Sequence, residues 1–398
     1  MATENKKYIP ALRFPEFQND GEWNYEYGNM LYDSIVNKKH KSDLPILAIT
    51  QDNGAIPRDE INYRVIVNDK SIEGYKIVEI GDFIISLRSF QGGIEYSRYK
   101  GLCSPAYIVL RKKHSKICDD FYRHYFKSFQ YIQALNRNLE GIRDGKMVSY
   151  KQFSDIKLPC PSLAEQKKIA DCLSSLDKYI DATKRKLELL KEHKKGLMQC
   201  LFPAKGKTTP ELRFPEFQND GDWVEKKVRN IFDQITRGCV LPVSETRQSP
   251  DDMYKYPVYS SQTANNGLMG YYNKFLYKNA ITWTTDGANA GTVMLRRGEF
   301  FCTNVCGVLI SHRGYANGCI SEIIATHAKE HVSYVGNPKL MNNVMGEIEI
   351  CIPPTIDEQI KIADCLYKVD QIISSHEKKI KSLELHKRGL IQQLFPKL

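Results

Sequence analysis

No stretch of these 398 residues approaches the roughly 20 consecutive apolar residues that a membrane span requires. The opening, MATENKKYIP, also has no apolar run of the kind found in a signal peptide. The expectation is a cytoplasmic protein with no membrane partner. Cysteines number eleven, an odd count, and they are scattered without a single Cys-x-x-Cys pair, so a disulfide framework is not expected. The nearest approach to metal-ligand spacing is Cys302 and Cys306 in CTNVC, with Cys319 further on. Buried free thiols in a reducing compartment are the better reading. No Gly-x-x-x-x-Gly-Lys-Ser/Thr loop is present to cradle ATP, and no His/Cys/Asp set suggests a metal.

Charge of one sign is in excess. Lysine and arginine total 57 against 47 acidic residues, a net charge of +10 that favours a polyanionic partner. Much of it sits in two places: Glu165 to Pro203 has nine basic and six acidic residues, and Glu358 to Leu398 has eight and five. A solvated helix face accounts for most of these lysines.

What is present, and twice, is RFPEFQNDGEW from Arg13, which returns as RFPEFQNDGDW from Arg213 with only Glu22 exchanged for Asp222. A second block, Glu165 to Pro203, matches Glu358 to Pro396 at about half its positions. The offset is 200 for the short block and 193 for the long one, so the chain is a duplication whose two intervening segments differ in length. A core seldom grows beyond about 250 to 300 residues, so the chain has room for two or three domains.

In the long blocks the apolar residues alternate at three and four. The first series is Ile169, Leu173, Leu176, Ile180, Leu187, Leu190, Leu197 and Leu201, with Thr183 and Lys194 as gaps. The second is Ile362, Leu366, Val369, Ile373, Ile380, Leu383, Leu390 and Leu394, with gaps at His376 and Lys387. Such a seam predicts a helix of about 36 residues and roughly 54 Å, pairing with its copy as an antiparallel coiled coil whose polar gaps help set register. Ser162 with Glu165, and Thr355 with Glu358, have the spacing of a capping box at each helix start. Proline ends each helix at LFP. The clusters His193, Lys194, Lys195 and His386, Lys387, Arg388 lack a neighbouring nucleophile, and fit partner contact or solvation rather than catalysis.

Between the blocks the pattern changes to short runs rich in Ile, Val, Tyr and Thr, broken by Gly and Asn, which read as strands and turns. Helical pieces are expected to interrupt them, notably over Cys118 to Arg137. The fold class is therefore mixed α/β (α+β): two sheet-rich globular domains, two long helices, and an internal pseudo-two-fold repeat. The expected boundaries are 1–157, 158–203, 204–350 and 351–398. The two variable segments also share a template. PILAITQDNGAI matches PVYSSQTANNGLM in character, and SLRSFQGGIEY matches TTDGANAGTVM.

The tandem arrangement, the P-x-L-R-F-P-E-F openings, the EQ-x-KIADCL helix starts and the H-K-K/R-G-L…LFP ends together resemble the specificity subunit of type I restriction-modification enzymes, over essentially the whole chain. The resemblance implies two target recognition domains, each reading half of a split sequence in double-stranded DNA. It implies helices that act as a ruler and dock two modification subunits that methylate adenine. Restriction subunits would join them in the full complex. Cofactors are then expected on the partners and not here: S-adenosylmethionine for modification, ATP and Mg for restriction. The chain also lacks the Asn-Pro-Pro-aromatic tetrapeptide that adenine methyltransferases use, which fits a non-catalytic reader.

Bases are read by Arg, Asn, Gln and hydroxyl side chains, while phosphate contacts position the protein. The expected DNA-binding residues of the first domain are Thr50, Gln51, Asn53, Arg88, Ser89 and Gln91, with Arg143 and Lys146 on phosphate. Those of the second are Ser260, Ser261, Gln262, Asn265, Asn266, Thr284, Thr285 and Asn289, with Arg296 and Arg297 near the backbone. Any of these can instead serve a turn. Two other classes compete with this reading: a coiled-coil scaffold whose variable domains bind protein, and a self-sufficient modification enzyme, which would need the cofactor motif the chain lacks.

Overall fold

The computed structural model of the chain describes residues 8–41, 43–60, 69–137, 148–262 and 264–396. Its contacts divide it into two units, one of Met1–Lys184 with Lys378–Leu398, the other Arg185–Glu377. Each unit therefore contains a variable segment and one half of each long helix.

In the first unit the repeated opening leads into β1 (Asn24–Tyr27), one helical turn α1 (Gly28–Leu31) and β2 (Tyr32–Ile35). There follow β3 (Leu47–Thr50), β4 (Gly54–Pro57), β5 (Lys76–Val78), β6 (Phe83–Ile85), α2 (Ser89–Gly92), β7 (Glu95–Tyr96), β8 (Gly101–Cys103) and β9 (Ile108–Lys112). Four strands pair in the order β2-β9-β6-β7, while β3-β4 and β5-β8 form separate ribbons. Helices α3 (Asp119–Tyr125), α4 (Phe129–Arg137) and α5 (Tyr150–Ser154) come next, then β10 (Lys157–Cys160) and the long α6 (Leu163–Leu201). β10 returns to pair with β1, Asn24 opposite Cys160, so the variable segment is closed where it began.

The stretch from Cys118 to Arg137, expected to be helical, forms two helices. The break falls between α3 and α4, where buried Ser128 turns its hydroxyl back to accept from the amide of Tyr131. Gly93, at φ +82°, lies so close to the Phe126 carbonyl that a Cβ would collide with it. The sheet's return loop thus runs across the break.

The second unit begins in the same way, with β11 (Val224–Lys227), α7 (Val228–Ile231) and β12 (Gln234–Arg237). β13 (Tyr256–Tyr259), β14 (Leu268–Tyr272), β15 (Tyr277–Thr284), β16 (Val293–Cys302) and β17 (Cys306–Ile310) complete a six-stranded sheet in the order β12-β17-β15-β16-β13-β14. After α8 (Gly318–Ala328) and α9 (Asn342–Glu347), β18 (Glu349–Ile352) pairs with β11, Val224 opposite Ile352, and α10 (Ile356–Leu394) follows. Cys302 and Cys306 are buried with Phe300 and Val308, while Cys319 belongs to a different cluster around Trp283 and Ile320. Burial pushes the Cys306 thiol up to about 11.

The twice-written motif has a common job. Arg13 donates through Nε and Nη2 to the two carboxylate oxygens of Glu165, at 2.7 and 2.8 Å, and through Nη1 to Gly21 O. Arg213 does the same to Glu358 at 2.8 and 2.8 Å, and to Gly221 O. Both carboxylates are 1% exposed. The short block is thereby tied to the first turn of the long helix that ends its own repeat. Only half of the expected capping box forms. Ser162 and Thr355 accept from the amides of Glu165 and Glu358 at 3.3 Å, but the carboxylates are taken by the arginines.

Within each unit the two helix segments run antiparallel. In the first, Asp177 pairs with Lys387 and Lys184 with Glu384; in the second, Lys191 pairs with Glu377 and Lys194 with Asp370. On α6, Ile169, Leu173, Ile180, Leu187 and Leu201 are buried, and Leu176, Leu190 and Leu197 half-buried. On α10, Ile362, Leu366, Ile380 and Leu394 are buried, and Val369, Ile373, Leu383 and Leu390 half-buried. The gap lysines reach the equivalent aspartate of the opposing helix. Lys194 adds Glu322 of α8 at 2.7 Å, and in the first unit Arg123 of α3 joins Asp177 at 3.7 Å. Thr183 is buried and gives its hydroxyl proton to Tyr179 O within its own turn.

His124, in the first unit, is 3% exposed and is pushed down to about 2 by burial and by the charges of Arg123, Lys387 and Arg98. These outweigh Asp177, 4.0 Å from Nδ1. The unfolded chain binds a proton on this imidazole below pH ~6.5 and the folded one does not until about pH 2. This group therefore removes stability as pH falls from 6.5, by up to about 1.4 kcal/mol per unit. Buried Glu95 works in the opposite sense. Burial, opposed by Lys127, raises it to about 7, so the folded state holds its proton above pH ~4.5, where the unfolded state has released it. The two slopes oppose one another between pH 4.5 and 6.5. In urea titrations, His124→Gln is expected to uncover the Glu95 slope, with stability rising as pH falls from 7 to 4.5. An unchanged pH profile would show that His124 is not held neutral.

Candidate nucleic-acid interface

The two variable segments build the same pair of hairpins. β3 and β4 pair antiparallel around residues 51–53, as β13 and β14 do around 260–267. β6 and β7 pair around 86–94, as β15 and β16 do around 285–292. The residues expected to meet DNA lie at or beside these tips. Loops on a rigid sheet can vary in chemistry without disturbing the scaffold.

In the first unit the tips touch. Gln51 Nε2 donates to Arg88 O at 3.4 Å. Beneath them the Lys127 ammonium donates to Gln51 O, Gly92 O and the Glu95 carboxylate, at 3.2, 3.0 and 2.5 Å. Sequence reasoning misses this lysine because it comes from the α3–α4 break, far from either loop. Gln51, Asn53, Arg88 and Gln91 are exposed. Thr50 and Ser89 are committed to the fold: the Thr50 hydroxyl binds Gly54 O and the Asn53 amide, and Ser89 is buried, accepting from the amide of Ser86. Arg143 and Lys146 lie outside the described residues.

In the second unit Asn289 Nδ2 donates to Ser261 O at 3.1 Å, joining the two tips, and Ser260 bonds Thr303 at 3.0 Å. Asn265 and Asn266 are exposed, with φ of 50° and 55°, ahead of Gly267 at 81°. Asparagine tolerates this left-handed region better than other side-chain-bearing residues. The side chain of Gln262 folds back to Leu268 O. Thr284 and Thr285 are buried, and the Thr285 hydroxyl donates to Asp286.

The adjacent arginines of β16 part company because strand neighbours face opposite ways. Arg296 is 7% exposed. It stacks 3.7 Å from the centre of the Tyr259 ring and donates to Thr282 and to Asn266 O, at 3.0 and 2.6 Å, and burial lowers its pKa. Its guanidinium props the 260–267 loop from below, away from solvent. Arg297 is exposed and lies 5.1 Å from the ring centre of Tyr367 on α10.

Two sets of exposed amide and guanidinium groups, carried on equivalent hairpins over a repeated frame, suit recognition of a polar, sequence-variable ligand. Among the described residues there is no group of three His, Cys, Asp or Glu side chains placed to hold a metal, and no helix long and apolar enough to cross a membrane.

A sequence model of the type I restriction modification DNA specificity domain matches the chain twice, over residues 16–192 and 220–385. A putative type I specificity subunit of Mycoplasma pneumoniae is 32% identical over 169 residues, which are 41% of this chain and 54% of that protein. A second protein from the same organism, described as the N-terminus of such a subunit, is 38% identical over 127 residues, 31% of this chain and 66% of its own length. The chain thus spans between about half and two thirds of those two relatives. The putative type I restriction enzyme MjaX specificity subunit of Methanocaldococcus jannaschii aligns over 388 residues at 24% identity, covering 89% of this chain and 87% of that one. In fold, the chain is similar to the crystal structure of a type I restriction-modification S subunit from M. genitalium. The TM-score is 0.64 at 16% identity, with 98% of this chain and all of that chain covered.

Proposed function

The chain belongs to the type I restriction modification DNA specificity family, and from that premise we propose that each of its variable domains reads one half of a bipartite DNA target. The helices α6 and α10 set the spacing between the halves and dock two modification subunits. Those partners carry S-adenosylmethionine and methylate adenine; restriction subunits, with ATP and Mg, cleave unmodified DNA. This chain supplies the address and no catalytic group.

The observation that supports this most directly is the pairing of constant and variable parts. The Arg-Glu clamps and the closing strand pairs are the same in both repeats, whereas equivalent hairpin tips carry Gln51, Asn53, Arg88 and Gln91 in one and Asn265, Asn266 and Asn289 in the other. Amide and guanidinium groups at such tips match the donor and acceptor pattern of base edges.

A map of methylated adenine in cells carrying this chain and its modification subunit, against cells lacking only this chain, is expected to give a two-part motif that depends on the chain. Arg88→Ala with Gln51→Ala is expected to relax one half of that motif, by about 1–3 kcal/mol for each bidentate hydrogen-bond pair to a base, and leave the other half intact. A methylation pattern indifferent to the chain, despite an assembled modification subunit, would favour the scaffold reading. That alternative also predicts no steep fall of DNA affinity with salt.

A further inference from the structure

The loop between Ser333 and Lys339, SYVGNPK, presents two adjacent large apolar side chains to solvent. Tyr334 is 71% exposed and Val335 92%. Single exposed apolar residues are common, but this pair sits on a stiff tip. Ser333 and Lys339 exchange both main-chain hydrogen bonds at 2.9 Å, and Gly336 takes a positive φ of 77° within the loop they close. The chain is buried on either side, at Val332 and Leu340, and Trp283 Nε1 donates to Leu340 O at 3.0 Å. Little freedom remains for the tip to fold back and cover its apolar groups.

The tip is also bonded to a candidate reading loop. Gly287 N donates to Pro338 O and Leu340 N to Thr285 O, both at 2.9 Å. Asp286 of that loop lies 4.0 Å from Lys339 Nζ and 3.2 Å from Arg237 Nη2, which leaves one excess positive charge at the base of the tip.

We propose that this tip is a further DNA contact of the second domain, in which Tyr334 and Val335 press apolar surface against base edges in a groove while Lys339 holds the adjacent phosphate. The proposal rests on the reading of the domain as a DNA reader. Proteins that read grooves use apolar side chains in this manner, against thymine methyls or unstacked base steps. Docking there would account for surface that is otherwise exposed to water with no compensating cover.

The test uses the chain assembled with its modification subunits and a duplex carrying the motif from the methylation map. Tyr334→Ser with Val335→Ser, both exposed and so tolerant of polar replacement, is expected to weaken target binding by about 10- to 100-fold, the loss that follows from no longer burying an apolar side chain of this size. The slope of log affinity against log salt should be unchanged, because every phosphate-binding cation is still in place. Lys339→Gln should flatten that slope by about 0.9. Unaltered target affinity in the double variant, with wild type binding its target in a salt-dependent way, overturns the proposal and leaves the domain's reading role standing. Absence of modification subunits from the co-purified double variant also overturns it, because the tip would then be a protein dock. A wild-type assembly with no preference for the target removes the reading role itself, and the proposal with it.

Discussion

Arg213→Met is expected to destabilise the second unit by about 3–5 kcal/mol, as breaking one side of a buried ion pair does. The methionine removes both donors at 2.8 Å and leaves the Glu358 carboxylate, 1% exposed, with Trp223 Nε1 at 3.2 Å as its neighbouring side-chain donor. The bond from Arg213 to Gly221 O at 2.7 Å goes too, releasing the loop of the repeated motif. Trp223 and Trp283 both lie in the core of the second unit, so tryptophan fluorescence during urea unfolding, after subtraction of the Trp23 contribution with a Trp23→Phe variant, measures the destabilisation. Arg213→Met with Glu358→Leu should recover most of the stability, since replacing both members of a buried pair by apolar groups is often neutral. A single variant within about 1 kcal/mol of wild type would mean that the carboxylate finds water, and that the motif is repeated for another reason.

The clamp explains why the duplication is so legible in the sequence. Arg13 and Glu165 lie 152 positions apart and Arg213 and Glu358 145 apart, yet each pair needs the same bidentate geometry against the same helix turn. The two blocks that carry them therefore repeat while the intervening segments diverge. The seam of the long helices is legible because its spacing belongs to the backbone rather than to any partner. The purpose of the seam gaps is not legible in that way: Lys194 and Lys387 are answered by Asp370 and Asp177 on the opposing helix, which local sequence cannot indicate.

At the candidate interface, residue type is a poor guide to which side chains face solvent. Thr50 and Ser89 have the hydroxyls of base readers, and the structure uses both to close turns. Arg296 and Arg297 are indistinguishable by type. Strand parity sends one beneath the loop, against Tyr259, and the other into solvent. The tip at Tyr334 carries no signal that composition or periodicity could pick up. Its exposure follows from hydrogen bonds between Ser333 and Lys339 and from burial of Val332 and Leu340, all set by tertiary packing.

The same dependence on distant sequence leads to Phe395→Ala, expected to cost the first unit about 3–5 kcal/mol by opening a cavity in an aromatic core. Phe395 closes the second copy of the long block, but its ring is 1% exposed within the first unit, with centroids 5.3 Å from those of Phe121 and of Tyr125. Its neighbour Leu394 is buried in the same cluster. The counterpart, Phe202, packs in the second unit with its centroid 6.3 Å from that of Trp223 and is only half-buried, so Phe202→Ala should cost less. Each variable domain is thus completed by the end of the helix that belongs to the other repeat. Urea unfolding of the two variants, followed by hydrogen exchange at α3 and at α8, should show the drop in protection confined to α3 for Phe395→Ala. An equal drop at both helices would mean that the two units unfold as one, and that the core-plug role of Phe395 is not local to the first.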